Sequence, residues 1–211
     1  MMLRYFIVLF PLIVFIFTSC SDSNFQVPQN ANQIQPLLVG DSIPDITVSD
    51  IHGDKVNLAA ESTRPTLFVF YRGGWCPFCS AELAEIAKIE EEIYRLGIQI
   101  VAISPDRPEF LRQTSNELGI DYTLLSDSPM DAAKSFGVAF RLDTETIEQY
   151  RQNGWDLEER TGYDHYLLPV PAVFLANEMG KIEFQYVTPD YKTRLDHTVL
   201  LAAARAMADS S

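Results

Sequence analysis

Two cysteines near the middle of the chain, Cys76 and Cys79, are separated by two residues and could form a redox pair. A run of β-forming apolar residues, 66–71, ends shortly before them, and Pro77 stands at a favoured first position of a helix. At a helix N-terminus the unpaired N–H groups and the helix dipole stabilise an anion, so a thiolate there has a lowered pKa. The spacing therefore predicts a dithiol that cycles with a Cys76–Cys79 disulfide, with the more exposed Cys76 as the low-pKa nucleophile.

A structural zinc site is the alternative chemistry for such a pair, but the rest of the sequence does not supply its ligands. Zinc sites of this kind need four ligands, and the only other cysteine of the chain is Cys20. The three histidines, His52, His165 and His197, show no ligand spacing. We therefore expect a redox pair, with no metal and no cofactor beyond the two thiols.

The segments around the cysteines predict a strand–helix–strand unit that positions them. Residues 66–71 form a continuous apolar run, as a strand buried on both faces of a sheet does. Apolar residues then recur at helical spacing as far as Leu96, and the charged residues between them, Glu82 included, are expected to face water. Gly97 ends this helix, and residues 98–104 form a second buried strand. The two strands are therefore predicted to be parallel, with a right-handed crossover.

The other segments complete an α/β fold. Residues 46–58 alternate around a turn and predict an N-terminal β-hairpin, and a helix begins at Pro108. Residues 143–160 have the pattern of an acidic helical insertion. Residues 172–187 predict a second hairpin, followed by an Ala-rich amphipathic helix that closes the chain. This order predicts one α/β domain, residues 39–211, with a central mixed β-sheet flanked by helices.

The N-terminal region has the features of a secretory signal. Residues 1–19 combine Arg4 with an apolar run that is shorter than the about 20 residues of a membrane-spanning helix. Small residues and Cys20 follow, and residues 17–20 resemble a relaxed lipobox. We therefore expect a lipoprotein signal peptide that is cleaved before a lipidated Cys20, with an uncleaved signal anchor as the alternative.

The region after the signal is predicted to tether the domain to a membrane. Residues 20–38 are polar and without periodicity, which is typical of a flexible tether. Either form of the signal places the domain outside the cytoplasm, on the periplasmic or cell-surface side, with the N-terminal lipid or anchor as its contact with the membrane.

The charge of the chain excludes one class of partner. The sequence has 29 acidic and 16 basic residues, for a formal net charge of -13. Removal of residues 1–19 takes away one Arg and no acidic residue, so the charge becomes 15 minus 29, or -14. Nucleic-acid binding needs clustered Lys and Arg, and the sequence has no such run, so we expect no nucleic-acid partner.

Several motifs of the predicted domain resemble a known family. A Trp-Cys-x-x-Cys motif after a hydrophobic strand resembles the thioredoxin superfamily, and residues 38–208 resemble its AhpC/TSA peroxiredoxin-like proteins. This resemblance implies a thioredoxin-like fold and a thiol oxidoreductase that reduces hydroperoxides with electrons from a thioredoxin-like donor. The segments that carry it are residues 70–79, 101–106, 125–127 and 170–182.

The chain departs from the peroxiredoxin signature P-x-x-x-T-x-x-C at the residues that support the reactive cysteine. When the signature is laid on this chain, the cysteine that attacks peroxide is Cys79. Cys76 then stands at the Thr position and Arg72 at the Pro position, while a later Arg of the family falls on or near Pro171.

Two mechanisms are therefore open. In a peroxidase, Cys79 would attack the peroxide and Cys76 would condense with the resulting sulfenic acid. In a thioredoxin-like disulfide reductase, Cys76 would attack a protein disulfide and Cys79 would resolve the mixed disulfide.

Four further residues are candidates for the site. Arg72 could lower a thiolate pKa or hold an anion, or it could form a surface ion pair. Trp75 could cover the disulfide and contact substrate, or serve packing alone. The resemblance implies a cis Pro171 that holds backbone beside the sulfurs for an extended peptide. His165 suggests a third function, copper delivery by a Sco-like chaperone, although those proteins carry C-x-x-x-C.

Overall fold

The computed structural model describes residues 26–61 and 63–209, and a mixed β-sheet of seven strands runs through their centre. The predicted signal peptide and Cys20 lie outside the described residues. The strands are, in chain order, β1 (Thr47–Ser49), β2 (Lys55–Asn57), β3 (Thr66–Phe70), β4 (Gln99–Ser104), β5 (Thr123–Ser126), β6 (Ala139–Arg141), β7 (Leu167–Pro169), β8 (Ala172–Ala176) and β9 (Ile182–Val187).

The strand order of the central sheet is β2-β1-β5-β4-β3-β8-β9. Strands β3, β4 and β5 are parallel, and the outer neighbours pair antiparallel, including both predicted hairpins. Phe70 at the end of β3 lies opposite Ile103 of β4 and Ala172 of β8. The residues that follow β3, including both cysteines, therefore leave the sheet from its middle.

Helices cover both faces of this sheet and confirm the predicted α/β, thioredoxin-like architecture. A two-stranded sheet of β6 and β7, which the sequence did not predict, lies beside them. No helix within residues 26–61 and 63–209 has both the length and the apolar character that a membrane span requires. The helices are α1 (Leu58–Glu61), α2 (Pro77–Arg95), α3 (Pro108–Leu118), α4 (Asp131–Ser135), α5 (Thr144–Gln152), α6 (Leu157–Thr161) and α7 (His197–Ala208).

The central strand β3 divides the core into two halves because its side chains alternate between the faces of the sheet. Phe68 and Phe70 pack with Phe136 on one face, where the ring centroids of Phe70 and Phe136 are 4.8 Å apart. Leu67 and Val69 pack on the other face with apolar residues of α2 and α7. All five residues of β3 are buried, as the apolar run predicted. Burial of each of the four apolar side chains contributes about 1.5–3 kcal/mol to stability.

The helical insertion predicted at residues 143–160 is present as α5 and α6, and it builds an aromatic wall next to the cysteines. The ring of Trp75 lies 5.5 Å from that of Tyr150 and 5.1 Å from that of Trp155, centroid to centroid. Apolar residues of the insertion and of β7 form a third core cluster beneath these rings. The insertion is thus part of the surroundings of the predicted site.

Residues 26–38 pack on the domain, in contrast to the flexible tether predicted for residues 20–38. A short 3₁₀ helix, Ala31–Gln33, begins at Asn30, whose side chain accepts a hydrogen bond from the backbone N–H of Asn32. Isolated apolar side chains in a polar segment give no periodic signal, yet each can fill a groove of a folded neighbour. Those that pack against the core here are Val27, Ala31, Ile34 and Leu37.

Backbone contacts hold the same segment in place. The N–H of Leu37 donates to the carbonyl of Phe136 at 3.0 Å, and the N–H of Arg141 donates to that of Pro28 at 2.8 Å. Gly137 has a φ of +70°, and a Cβ at this position would lie 1.8 Å from the carbonyl oxygen of Gln35. The close approach of the segment therefore requires glycine at this position.

The peptide bond before Pro171 is trans, so the cis bond implied by the resemblance is a wrong prediction. Pro171 lies in a short extended connection between β7 and β8. The N–H of Val170 donates to the carbonyl of Val138 at 3.0 Å, and the N–H of Thr188 donates to the carbonyl of Pro171 at 3.1 Å. Because this connection needs no chain reversal, nothing opposes the trans preference of about 0.5–1 kcal/mol.

We expect Gly137→Ala to destabilise the protein more than Gly97→Ala, because only the former displaces residues 35 and 36. Gly97 also has a positive φ, of +78°, but nothing lies within 4 Å of its added Cβ. In both variants the alanine must adopt a left-handed conformation, which lowers the free energy of unfolding by about 1–2 kcal/mol. In Gly137→Ala, overpacking against residues 35 and 36 lowers it by about 1–3 kcal/mol more. Urea unfolding measures the difference, and hydrogen exchange at the Leu37 amide should accelerate in Gly137→Ala alone. Equal losses of stability would mean that the segment is not anchored at Gly137.

Candidate active site

The start of α2 positions both cysteines. Cys76 is the N-cap residue, with extended φ and ψ of -89° and 115°, and Pro77 is the first helical residue. The carbonyl of Cys76 accepts hydrogen bonds from the N–H groups of Cys79 at 2.9 Å and of Ser80 at 3.0 Å. Cys76 is 2% exposed and Cys79 is completely buried. The structure thus brings the two predicted residues together on one turn, with Cys76 nearer to solvent.

The two thiols have pKa values shifted in opposite directions. The pKa of Cys76 is lowered to about 6, mainly because the Cys79 thiol donates to its sulfur, with further help from backbone N–H groups of the first turn and from the charge of Arg72. Burial raises the pKa of Cys79 well above its usual range, and the neighbouring Cys76 raises it further. At neutral pH the pair therefore holds one thiolate, at Cys76, and one protonated thiol, at Cys79.

Arg72, which directly follows β3 and Tyr71, is a buried cation in an aromatic cage. It is 3% exposed, and its Cζ lies 4.5 Å from the ring centroid of Tyr191, 5.2 Å from that of Tyr150 and 5.5 Å from that of Trp75. No described carboxylate forms an ion pair with it, and its Nε has no hydrogen-bond partner. Burial lowers the pKa of Arg72, and the nearby Cys76 opposes that shift. The surface ion pair considered for Arg72 is therefore absent from the part of the chain that the structure describes.

Two glycines let the loop between Arg72 and the cysteines pass through a crowded space. Gly73 has a φ of +143°, and a Cβ there would lie 2.2 Å from Nε1 of Trp75. A Cβ on Gly74 would lie 1.9 Å from Oγ1 of Thr114. The N–H of Gly74 donates to Oδ2 of Asp106 at 2.8 Å, and burial raises the pKa of that carboxyl to about 6. Side chains at either glycine would push the loop away from Asp106 and move Cys76.

A second cation, Arg194, contacts the buried cysteine. Its Nη2 lies 3.4 Å from Sγ of Cys79, and its Nε lies 2.6 Å from Oε2 of Glu82. Glu82 is buried, so the prediction that it faces water is wrong. Burial raises the pKa of Glu82 and Arg194 opposes that effect. Removal of either partner of a buried ion pair costs about 3–5 kcal/mol, because it leaves the other charge uncompensated.

Sequence reasoning missed Arg194 and misplaced Glu82 for a physical reason. Arg194 is 115 positions from Cys79 and lies in a loop, where no periodicity reports what a side chain contacts. Glu82 is one of many acidic residues on α2, and only its position three residues after Cys79 distinguishes it. That spacing places it on the same helix face as the buried thiol, which is the one signal that could have identified it.

Two cavities are lined by residues that neighbour the dithiol, Arg72 in one and Arg194 in the other. One of about 220 Å³ is lined by Arg72, Pro171, Tyr150 and Tyr191 among others. The other, of about 480 Å³, lies between α2 and α7 and is lined by Arg194 and Glu82 together with apolar residues. Pro171 thus lines the smaller cavity, although its peptide bond is trans.

His165 is fully engaged in structural hydrogen bonds. Its Nε2 lies 2.8 Å from the carbonyl oxygen of Ser128, and its Nδ1 accepts from the N–H of Leu167 at 3.0 Å. Neither ring nitrogen is free to bind copper in this arrangement. Among the described residues, no group of three or more His, Cys, Asp or Glu is placed to hold a metal ion.

Comparison with known proteins then identifies the family. The model of the AhpC/TSA family matches residues 39–185, which is more than half of the chain. The chain belongs to the AhpC/TSA family. This confirms the resemblance seen in the sequence, and with it a thiol-dependent oxidoreductase of the peroxiredoxin type.

Individual relatives of this AhpC/TSA protein agree with the family assignment. Peroxiredoxin Bcp of Escherichia coli strain K12 is 28% identical over 172 residues, which cover 80% of this chain and 96% of that protein. The crystal structure of peroxidoxin BcpB from Mycobacterium tuberculosis superposes with a TM-score of 0.61 at 21% identity, over 80% of this chain and 97% of the other. A structure of Xanthomonas campestris peroxiredoxin Q gives a TM-score of 0.63 at 19% identity, over 82% and 97%. The two structures confirm the fold.

We expect alkylation of Cys76 by iodoacetamide to be half-maximal near pH 6, because only the thiolate reacts and its pKa is about 6. The rate should fall as the pH drops through 6 and the thiolate is protonated. Cys79→Ala should move the midpoint upward most, since it removes the strongest stabilisation, and Arg72→Gln should also move it upward.

The matched control for this titration is Arg95→Gln, because Arg95 pairs with Glu91 on the surface of the same helix. Its midpoint should equal that of the wild type. A wild-type midpoint near the ordinary thiol value of about 8.5 would contradict the assignment of the thiolate to Cys76.

Proposed function

We propose that this AhpC/TSA protein reduces hydroperoxides with Cys76 as the attacking residue and Cys79 as the resolving residue. The observation that carries the proposal is the asymmetry of the pair: both cysteines are buried, but Cys76 has the lowered pKa, whereas the pKa of Cys79 is raised and its thiol stays protonated. A thiolate is the nucleophile in this chemistry, so the residue that is ionised at neutral pH attacks first.

The first step consumes the peroxide. The thiolate sulfur of Cys76 attacks the terminal oxygen of R–O–OH, an S–O bond forms and the O–O bond breaks. The R–O⁻ group leaves with the electron pair and is protonated to an alcohol, and Cys76 becomes a sulfenic acid. Arg72 lies close enough to Cys76 to stabilise the negative charge, first on the sulfur and then on the leaving oxygen.

The second and third steps close the cycle. The sulfur of Cys79 attacks that of Cys76, a disulfide forms and hydroxide leaves as water. For this attack Cys79 must lose its proton, and the charge of Arg194 at 3.4 Å lowers the cost of the buried thiolate. An external dithiol protein then exchanges with the disulfide, restores both thiols and is itself oxidised. A thioredoxin-like donor fits this step.

This order of attack differs from the one that the peroxiredoxin signature predicts for Cys79. Direct attack by Cys79 would require this fully buried thiol, whose pKa is raised, to ionise before Cys76, whose pKa is lowered. Because Cys76 stands at the Thr position of the signature, we place the nucleophile three residues earlier on the same helix, nearer to its N-terminus. The pair therefore supplies its own resolving cysteine.

Disulfide reduction is the second candidate function, and the same asymmetry supports it. A thiolate at the N-cap can attack a substrate disulfide, and the cysteine one turn later can resolve the mixed disulfide. The partly exposed ring of Phe78, which meets Tyr191 edge to face with centroids 5.7 Å apart, offers an apolar contact next to Cys76 for a protein substrate.

We also propose that the domain works outside the cytoplasm, anchored to a membrane by a lipid on Cys20. The support is the signal-like composition of residues 1–19 and the lipobox resemblance of residues 17–20. Because Val27 already packs against the core of the domain, at most about 25 Å of extended chain separates it from Cys20. The active site would then operate close to the bilayer surface.

We expect Cys79→Ser, treated with one equivalent of hydrogen peroxide and dimedone, to carry a single adduct on Cys76, measured by peptide mass spectrometry. Without Cys79 the sulfenic acid has no resolving partner and is trapped. Cys76→Ser should react with peroxide no faster than a free cysteine, because its remaining thiol is protonated.

The outcomes separate the two candidate functions. Rapid peroxide consumption by Cys76→Ser would contradict the proposed order and favour Cys79 as the attacking residue. Slow oxidation of every form of the protein, together with a mixed disulfide that Cys79→Ser traps with reducible proteins, would favour the disulfide reductase.

A further inference from the structure

We propose that the cavity next to Arg72 selects peroxycarboxylic acids with a short apolar chain, and that Arg72 binds the carboxylate that leaves. The inference rests on the proposed function and names its substrate class. It gives Arg72 and the surrounding cavity a role in substrate specificity, in addition to the effect of Arg72 on the pKa of Cys76.

The unsatisfied guanidinium of Arg72 is the first observation. Arg72 is 97% buried, yet its Nε is sealed from solvent without a hydrogen-bond partner, and no carboxylate of the described residues forms an ion pair with the guanidinium. Three aromatic rings lie around the guanidinium, within 4.5 to 5.5 Å of its Cζ. Rings contribute no acceptor in the guanidinium plane, so the N–H edge remains available to an anion.

The lining of the cavity is the second observation. Apart from Arg72, the charged side chains on its wall are already engaged: Arg141 donates to the carbonyl of His165 at 2.7 Å, and Asp143 accepts from the N–H of Thr146 at 2.7 Å. Most of the remaining wall is apolar or aromatic. The apolar and aromatic residues include Phe140, Leu142, Tyr150 and Tyr191, and the uncharged polar residues of the wall are Gln29, Asn30 and Thr146.

The size of the cavity limits the ligand. Its volume of about 220 Å³ corresponds to roughly seven water molecules at about 30 Å³ each. A chain of about six carbons fits into this volume. One buried cation in an apolar cavity therefore matches a small organic monoanion.

The reaction explains why this anion is a leaving carboxylate. The thiolate of Cys76 attacks the terminal oxygen of R–CO–O–OH, the S–O bond forms and the O–O bond breaks. The hydroxyl is transferred with its proton to sulfur, and R–COO⁻ leaves with the electron pair. One negative charge moves from Cys76 to the carboxylate, both beside Arg72, and no proton donor is required. An alkoxide leaving group, by contrast, must be protonated.

The test begins with the product analogue, sodium hexanoate, titrated into the wild-type protein. The sequence has two tryptophans, Trp75 and Trp155, whose ring centroids lie 5.1 Å apart next to Arg72, so their fluorescence reports on the cavity. We expect a saturable change with hexanoate and none with hexanol at equal concentration. Arg72→Gln should weaken hexanoate binding at least about tenfold, and Arg95→Gln should bind it as the wild type does.

Turnover completes the test. We expect kcat/KM for peroxyhexanoic acid to exceed that for hydrogen peroxide, and Arg72→Lys to lose more activity toward the former. Hexanoate should inhibit competitively against peroxyhexanoic acid. Hexanoate binding without any peroxidase activity would support the anion site and refute the proposed function. Peroxidase activity in a wild-type protein that binds hexanoate no better than hexanol would overturn this inference.

Discussion

The structure depends on one electrostatic constraint: a guanidinium, Arg72, is buried at the end of the central strand without a carboxylate partner. An isolated charge in a protein interior is costly, so a counter-charge must lie nearby. The thiolate of Cys76 supplies it, and the pKa of that residue is lowered mainly by the donating Cys79 thiol and further by the charge of Arg72. The guanidinium and the thiolate thus stabilise each other.

Other features of the fold serve this arrangement. The Gly-Gly turn brings the chain from Arg72 to the helix start in a space that admits no side chain. The insertion at residues 143–160 contributes Tyr150 to the aromatic cage around Arg72. Its Trp155 packs against Trp75, a second ring of that cage. On the other side of the dithiol, Arg194 and Glu82 form a second buried ionic contact beside the thiol that stays protonated. Each cysteine therefore has its own neighbouring cation: Arg72 lies near the Cys76 thiolate, and Arg194 lies near the protonated Cys79 thiol.

The sequence was sufficient for the fold and for the two cysteines because those features have local signals. The buried run at residues 66–71, the helical spacing that follows and the two hairpins all depend on contiguous patterns, and each is present in the structure. Contacts between distant segments have no such signal. Arg194 reaches Cys79 from the far end of the chain, and residues 26–38 use single apolar side chains to bind the domain. The trans bond at Pro171 shows that a motif taken from a superfamily does not fix the local geometry.

The central claim, that the Arg72–Cys76 pair makes this protein a peroxidase, is tested most directly by stopped-flow fluorescence of the reduced wild-type protein mixed with hydrogen peroxide. The account predicts a second-order rate constant at pH 7 at least about a hundredfold above that of free cysteine thiolate, because general electrostatic stabilisation of this kind contributes about 10² or more. A rate constant equal to that of free cysteine thiolate would contradict the claim, since ionisation alone, without stabilisation of the leaving oxygen, would then account for all the reactivity.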